Sequence, residues 1–322
     1  MAQTSAVSRS SPTADFPIIK AGLGEFQPGV IARRRSDLKP TVSDLLSGET
    51  TGRDDLIDPQ YFDQLRGHEV FDYSWDGWEH PVSLFPMIYS DVSMVAAAYT
   101  LPIGQAQTLL PATARLTPMR LTPWRAVILF FAFDYRRGGL GTYREFGAAI
   151  PVLLDAPRAL PLIPALRDAW RPNSDPRLGM FAVELPVDQE RACVAGIKLY
   201  GLPKLVGRSE FEMDGAGGRV SMDHEGQRMA SLRVRLKRPA PRKQLDLSFT
   251  TFSIAQGRII RTPYATLGVG YRGRAGEAEV KIGEHPRFAK FKGLDLSRKP
   301  LEVRLIPRLN WIIWGPQDAG PT

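Results

Sequence analysis

Arg125-Ala-Val-Ile-Leu-Phe-Phe-Ala-Phe-Asp134 is an apolar run closed by a charge at each end. It is far shorter than the roughly 20 residues a bilayer-spanning helix needs. Its β-branched and aromatic content fits a buried strand. Upstream, Val92–Tyr99 reads as a strand and Ile103–Leu110 as a short helix before Pro111. Beyond the Gly138-Gly139 break, Thr142–Leu153 resumes a strand, and Met180–Leu185 is another. Val187–Tyr200 has helical spacing, with Asp188 as the expected N-cap and Gly201 closing the end. Glu210–Met213, Arg219–Met222 and Met229–Leu236 alternate with period two, and Gly215–Gly218 is a turn. Leu245–Ile259, Ala265–Tyr271, Glu277–Ile282 and Leu301–Ile306 add strands. Many short strands and few helices predict a mainly β (α+β) fold, a barrel or sandwich-like sheet system.

The composition sets bounds on this reading. The chain has 322 residues, 43% of them apolar, enough to bury a sizeable core. The 27 prolines and 29 glycines favour short elements joined by turns. Residues 1–80 read as an N-terminal extension, partly disordered, ahead of a domain at 81–322. Within the extension a short helix is expected at Asp54–Arg66. The aromatic stretch Phe71–Trp78 reads as an arm for a barrel end or a neighbouring subunit. A second short helix is expected at Ala165–Trp170.

The N-terminus lacks an apolar segment, so no secretory leader is expected. Ser36–Pro40 is too polar to continue Arg33-Arg34-Arg35 as a twin-arginine signal. Cys193 is the only cysteine, which rules out an internal disulfide or a thiolate metal cluster and is compatible with a cytoplasmic location. The net charge of +8 is spread along the chain. Its one dense cluster, Arg233–Lys243, contains no aromatic residue for base stacking, so no nucleic-acid partner is expected. The four histidines show no metal-ligand spacing, and neither a metal nor a cofactor is expected.

Two segments carry chemistry. One is Gly138-Gly-Leu-Gly-Thr-Tyr-Arg-Glu-Phe-Gly-Ala-Ala-Ile-Pro-Val152, a glycine turn entering a strand with Glu145 near its start. The other is Ala195-Gly-Ile-Lys-Leu-Tyr-Gly-Leu-Pro-Lys-Leu-Val-Gly207, a small-residue helix, a Gly-x-Pro corner, and Lys204 among Leu202, Leu205 and Val206. A free lysine titrates near 10.4 and is almost wholly charged at neutral pH. Apolar burial disfavours the ammonium, and a neutral amine attacks a ketone to form a Schiff base. On spacing alone Lys204 fits better as a cation just beyond a helix C-terminus, where the dipole favours positive charge, than as a nucleophile. Glu145 alone fits a half-exposed strand glutamate, and Tyr143 fits either a pocket wall or a cross-strand contact.

Taken together and in this order, the two segments resemble the acetoacetate decarboxylase family. That family carries Gly-Leu-Gly-x-Tyr-x-Glu…Ile-Pro-Val followed by a Gly-rich helix and a Pro-Lys-Lys corner. Here these read Gly139-Leu140-Gly141-Thr142-Tyr143-Arg144-Glu145…Ile150-Pro151-Val152 and Pro203-Lys204-Leu205. The resemblance implies an acetoacetate decarboxylase-like antiparallel β-barrel with flanking strands and a few helices. It implies Lys204 as the Schiff-base lysine, Glu145 as the glutamate beside it, and a homo-oligomer. The implied reaction is decarboxylation of a small-molecule β-keto acid; aldol or dehydration chemistry and a non-catalytic binding barrel are the alternatives.

The chain departs from the family at three places. Leu205 stands where the family has a second lysine, the adjacent cation credited with activating the nucleophile in acetoacetate decarboxylase itself. Val92 falls near a family arginine, and Phe130 near a second pocket glutamate. The expected substrate wall of Tyr143, Phe130, Val92 and Leu205 is therefore apolar. That points away from acetoacetate toward a bulkier or less charged carbonyl compound.

Overall fold

The structure, a computed structural model, describes residues 87–112, 115–138, 140–156, 177–237, 243–274 and 276–322. The N-terminal extension, its helix and aromatic arm, and the helix at Ala165–Trp170 lie outside the described residues.

Seven strands form a closed ring. In ring order they are β1 (Met87–Pro102), β13 (Glu302–Ile313), β11 (Arg258–Gly273), β10 (Phe249–Ala255), β5 (Leu178–Glu184), β4 (Tyr143–Leu154) and β3 (Arg125–Gly138), which pairs back to β1. Every pairing in the ring is antiparallel except β5 with β10, a short parallel contact through Met180 and Phe181. The barrel is therefore mainly antiparallel but mixed. Three short strands extend the wall: β2 (Leu116–Pro118) on β4, and β9 (Lys243–Asp246) and β14 (Gln317–Pro321) on β11.

A second sheet of β12 (Gly276–Ile282), β8 (Gln227–Leu236), β7 (Gly217–His224) and β6 (Arg208–Met213) is fully antiparallel. The helices among the described residues are α1 (Ile103–Thr108), α2 (Glu190–Tyr200) and a 3-10 turn at Pro286–Phe291. The stretch expected as one strand over Leu245–Ile259 is instead β9, β10 and the start of β11, broken by a tight turn at Gln256-Gly257.

The alternation of side chains along each strand sorts the apolar residues into two cores. Val92, Met94, Ala96 and Ala98 of β1, with Val127, Leu129, Phe131, Phe133 and Tyr135 of β3, fill the barrel interior. The intervening Val95, Ala97, Tyr99, Ile128, Phe130 and Ala132 form an outer core. It is covered by Val220, Met222, Leu232 and Val234 of the second sheet and by Phe288 and Phe291. Helix α2 adds Ala192, Cys193, Ala195, Leu199 and Tyr200 to the interior.

Candidate active site

Helix α2 delivers Lys204. Its N-cap is Gln189, whose side chain accepts from Ala192 N at 3.2 Å. The expected cap, Asp188, accepts instead from Arg144 N at 2.6 Å and ties the approach of α2 to β4. At the other end Gly201 adopts φ 60°, ψ 27°, the left-handed conformation that costs glycine least. Gly201 N donates to Ile197 O and Leu202 N to Gly196 O, both at 3.0 Å. Pro203 cannot continue the helix, and Ser253 Oγ of β10 donates to Tyr200 O, fastening the corner to the barrel wall.

Beyond the corner the chain runs extended beside residues 185–187. Leu185 N donates to Pro203 O at 3.3 Å, Val187 N to Leu205 O at 2.9 Å, and Gly207 N to Val187 O at 2.7 Å. Val187 bridges in turn to Glu145 of β4. This short ladder carries Lys204 alongside Glu145, although 59 residues separate them in the chain.

The two side chains meet inside the protein. Lys204 Nζ lies 2.5 Å from Glu145 Oε2, with Lys204 8% exposed and Glu145 5%. The amine stands 5.8 Å from the centroid of the Tyr143 ring. The lysine stem crosses α2 at Gly196, where a Cβ would sit 2.2 Å from Lys204 Cε and 2.3 Å from Cδ. Tyr143 stacks on Tyr135 at 4.3 Å, and its hydroxyl donates to Tyr89 Oη at 3.2 Å. Phe133, paired in register with Glu145, meets Trp311 edge to face at 4.6 Å. Burial pushes the hydroxyls of Tyr89, Tyr135, Tyr143 and Tyr264 above their ordinary value of 10, and the Glu145 charge adds to that shift. These phenols therefore stay protonated at neutral pH.

Of the residues expected to line a pocket, Tyr143 and Val92 face the barrel interior; Val92 pairs with Tyr135. Phe130 and Leu205 do not. Phe130 is one residue out of step with Phe131 and Phe133, so it points into the outer core against Tyr99 and Phe291. Leu205 follows Lys204 in extended chain, so its side chain turns to the outer core while the amine turns inward.

Three residues with no sequence motif complete the corner. Arg287 Nη2 donates to Pro203 O at 2.8 Å and Nη1 to Lys204 O at 3.1 Å. The same guanidinium is 2.6 Å from the buried carboxylate of Glu184, which also meets Lys290 Nζ at 2.6 Å. A bulge in the β4–β5 pairing puts Glu184 opposite Ala148, an outer-core residue. Nothing in the sequence announces that bulge. Among the described residues, no group of three or more His, Cys, Asp or Glu side chains is placed to hold a metal ion. No described helix is long and apolar enough to cross a membrane.

Comparison with known proteins agrees with this architecture. The family model for acetoacetate decarboxylase matches residues 72–303. The crystal structure of acetoacetate decarboxylase from Legionella pneumophila superposes with a TM-score of 0.54 at 13% identity, over 78% of this chain and 94% of that one. A second acetoacetate decarboxylase structure gives 0.54 at 17% identity, over 75% and 92%. The enduracididine biosynthesis enzyme MppR complexed with pyruvate gives 0.53 at 13% identity, over 78% and 98%. At such identities the likeness is one of fold. No curated protein sequence matches the chain.

Proposed function

The chain belongs to the acetoacetate decarboxylase family, and from that premise we propose that it is a Schiff-base-forming lyase acting on a β-keto acid or related carbonyl compound. Lys204 is the nucleophile and Glu145 its proton partner. The observation that carries this reading is the 2.5 Å contact between a buried amine and a buried carboxylate.

Transfer of one proton along that contact gives a neutral amine beside a carboxylic acid, without separating charge in a buried site. The amine adds to the substrate carbonyl, the carbinolamine takes a proton from Glu145 and loses water, and a protonated imine forms. The bond to the carboxylate carbon then breaks, its electron pair moves into the imine, and carbon dioxide leaves. The enamine takes a proton at carbon, and water hydrolyses the imine to release the ketone and the amine. Glu145 is within reach of each proton movement at nitrogen.

Aldol or dehydration chemistry through the same imine is the second reading. It is favoured by Val92, an apolar residue on the interior face where a cation would hold a substrate carboxylate. We place the enzyme domain at 81–322 with the first 80 residues as an extension, and the protein in the cytoplasm as a homo-oligomer, which light scattering on the purified chain tests.

Borohydride reduction in the presence of acetoacetate, bulkier β-keto acids and 2-oxo acids tests the central claim. The expected outcome is irreversible labelling at Lys204, found by mass spectrometry, and none in Lys204→Ala. Carbon dioxide release separates decarboxylation from aldol chemistry. A chain that no member of the panel labels is a binding barrel without imine chemistry.

A further inference from the structure

The barrel interior holds two hydrogen-bond donors that neither the fold nor the proton path uses. Trp311 on β13 is 3% exposed, and its Nε1 has no hydrogen-bond partner among the described residues. Thr266 on β11 is 1% exposed, and its Oγ1 likewise has none. The two residues are directly paired across the β11–β13 ladder. Paired residues share a face, and Trp311 is an interior residue, so the two donors project into the barrel side by side.

Ring contacts and strand pairings lead from the indole to the reacting pair. The indole meets Phe133 at 4.6 Å, and Phe133 is opposite Glu145 on the neighbouring strand. On its other strand Trp311 pairs with Tyr89, whose hydroxyl accepts from Tyr143, the ring beside the Lys204 amine.

A buried donor without an acceptor is costly, and native interiors rarely keep one without a use. Here two adjacent positions each carry one. We propose that Trp311 Nε1–H and Thr266 Oγ1–H form the anchor for a neutral oxygen acceptor in the substrate tail, a second carbonyl or an equivalent group remote from the carbon that Lys204 attacks. The pair is uncharged, and Tyr264, Phe249, Phe133 and Tyr135 surround the indole. A carboxylate there would be desolvated without a counter-charge, whereas a ketone or amide oxygen would be satisfied. This rests on the imine reading of the site and narrows its substrates to carbonyl compounds with a planar or apolar body and a second neutral oxygen.

Two matched probes test it: 2,6-heptanedione, which carries the second oxygen, and 2-heptanone, which does not. In full-length protein labelled with 15N at the indoles, the Trp311 N–H resonance, assigned through Trp311→Phe, is expected to move downfield with the diketone and not with the monoketone. Trp311→Phe and Thr266→Val are each expected to cut the preference for diketone over monoketone about fivefold, the worth of one neutral hydrogen bond. Thr266→Ser is expected to restore it.

Borohydride labelling at Lys204, measured in parallel, reads imine formation separately from anchoring. A diketone-specific indole shift without labelling sustains the anchor and removes the imine reading. An unmoved resonance, an equal shift with both probes, or an unchanged preference in Thr266→Val overturns the anchor; the indole N–H then belongs to the faces of the rings around it.

Discussion

The barrel interior and the outer core are built from the same strands, and membership of one or the other turns on a single residue step. Phe130 and Phe131 are adjacent in β3; the first packs between Tyr99 and Phe291, the second belongs with the site. Lys204 and Leu205 repeat the pattern beyond α2. Yet the two cores differ in kind. The interior carries an amine, a carboxylate, several phenols and an indole among its apolar side chains. Over β3 the outer core is aliphatic and aromatic, and its charged group of three, Glu184 with Arg287 and Lys290, adjoins the lysine corner. One core holds the two sheets together, and the other encloses the lysine–glutamate pair.

The largest expected effect breaks the outer core alone. Phe130 is wholly buried, so Phe130→Ala is expected to cost about 3–5 kcal/mol in denaturant unfolding. Its ring faces away from Lys204, so borohydride labelling per folded molecule is expected to stay at the level of the parent chain. A fall in labelling as steep as the fall in stability would mean that the two cores are not separable.

Arg287 joins the two cores. Arg287→Met removes two hydrogen bonds to the Pro203 and Lys204 carbonyls and leaves Glu184 with Lys290. The expected cost is about 1.5–3 kcal/mol, the range for hydrogen bonds to charged groups. A stability loss alone would fit a structural role. The corner reading adds slower labelling at Lys204, with partial recovery in Arg287→Lys.

Gly196→Ala acts inside. Alanine gains about 1 kcal/mol over glycine in a helix interior, but its methyl group would occupy the path of the Lys204 stem. The stem is flexible and gives way before the helix does. Stability is expected to fall by about 1–3 kcal/mol, the usual cost of overpacking a buried site, while labelling falls about tenfold through loss of the near-attack position. Unchanged labelling would show that the amine has a second route to its partner.

Much of this was legible in the sequence, and the gaps have physical causes. Period-two runs and the Gly201-Leu202-Pro203 corner located the strands and the lysine, because burial on one face and a left-handed helix end leave local marks. The resemblance alone sets Phe130 toward the pocket, and β3, apolar on both sides, has no alternation that could choose its face. The hairpin at Gln256-Gly257 lies inside a stretch whose apolar residues recur on both sides of the turn, so the run reads as one strand. Glu184, Arg287, Trp311 and Thr266 left no sequence signal at all. Their placement comes from a bulge, a 3-10 turn and a pairing between β11 and β13.

Cys193 is the mildest probe of the interior. It lies on α2, is buried, and feels the positive charge of Lys204. Burial nonetheless raises its thiol above the ordinary value, and Lys204 and Arg287 pull it back only in part. A raised pKa means less thiolate at a given pH, so alkylation in the folded state is expected to be slow and to climb at higher pH than for a free thiol. Iodoacetamide at pH 8 should leave most of the folded chain unmodified and label it fully in denaturant. Because the lysine charge opposes the burial shift, replacing Lys204 with methionine should slow the reaction further. Faster alkylation in Lys204→Met would mean that the helix had loosened, and that the interior depends on the buried pair for its closure as well as for its chemistry.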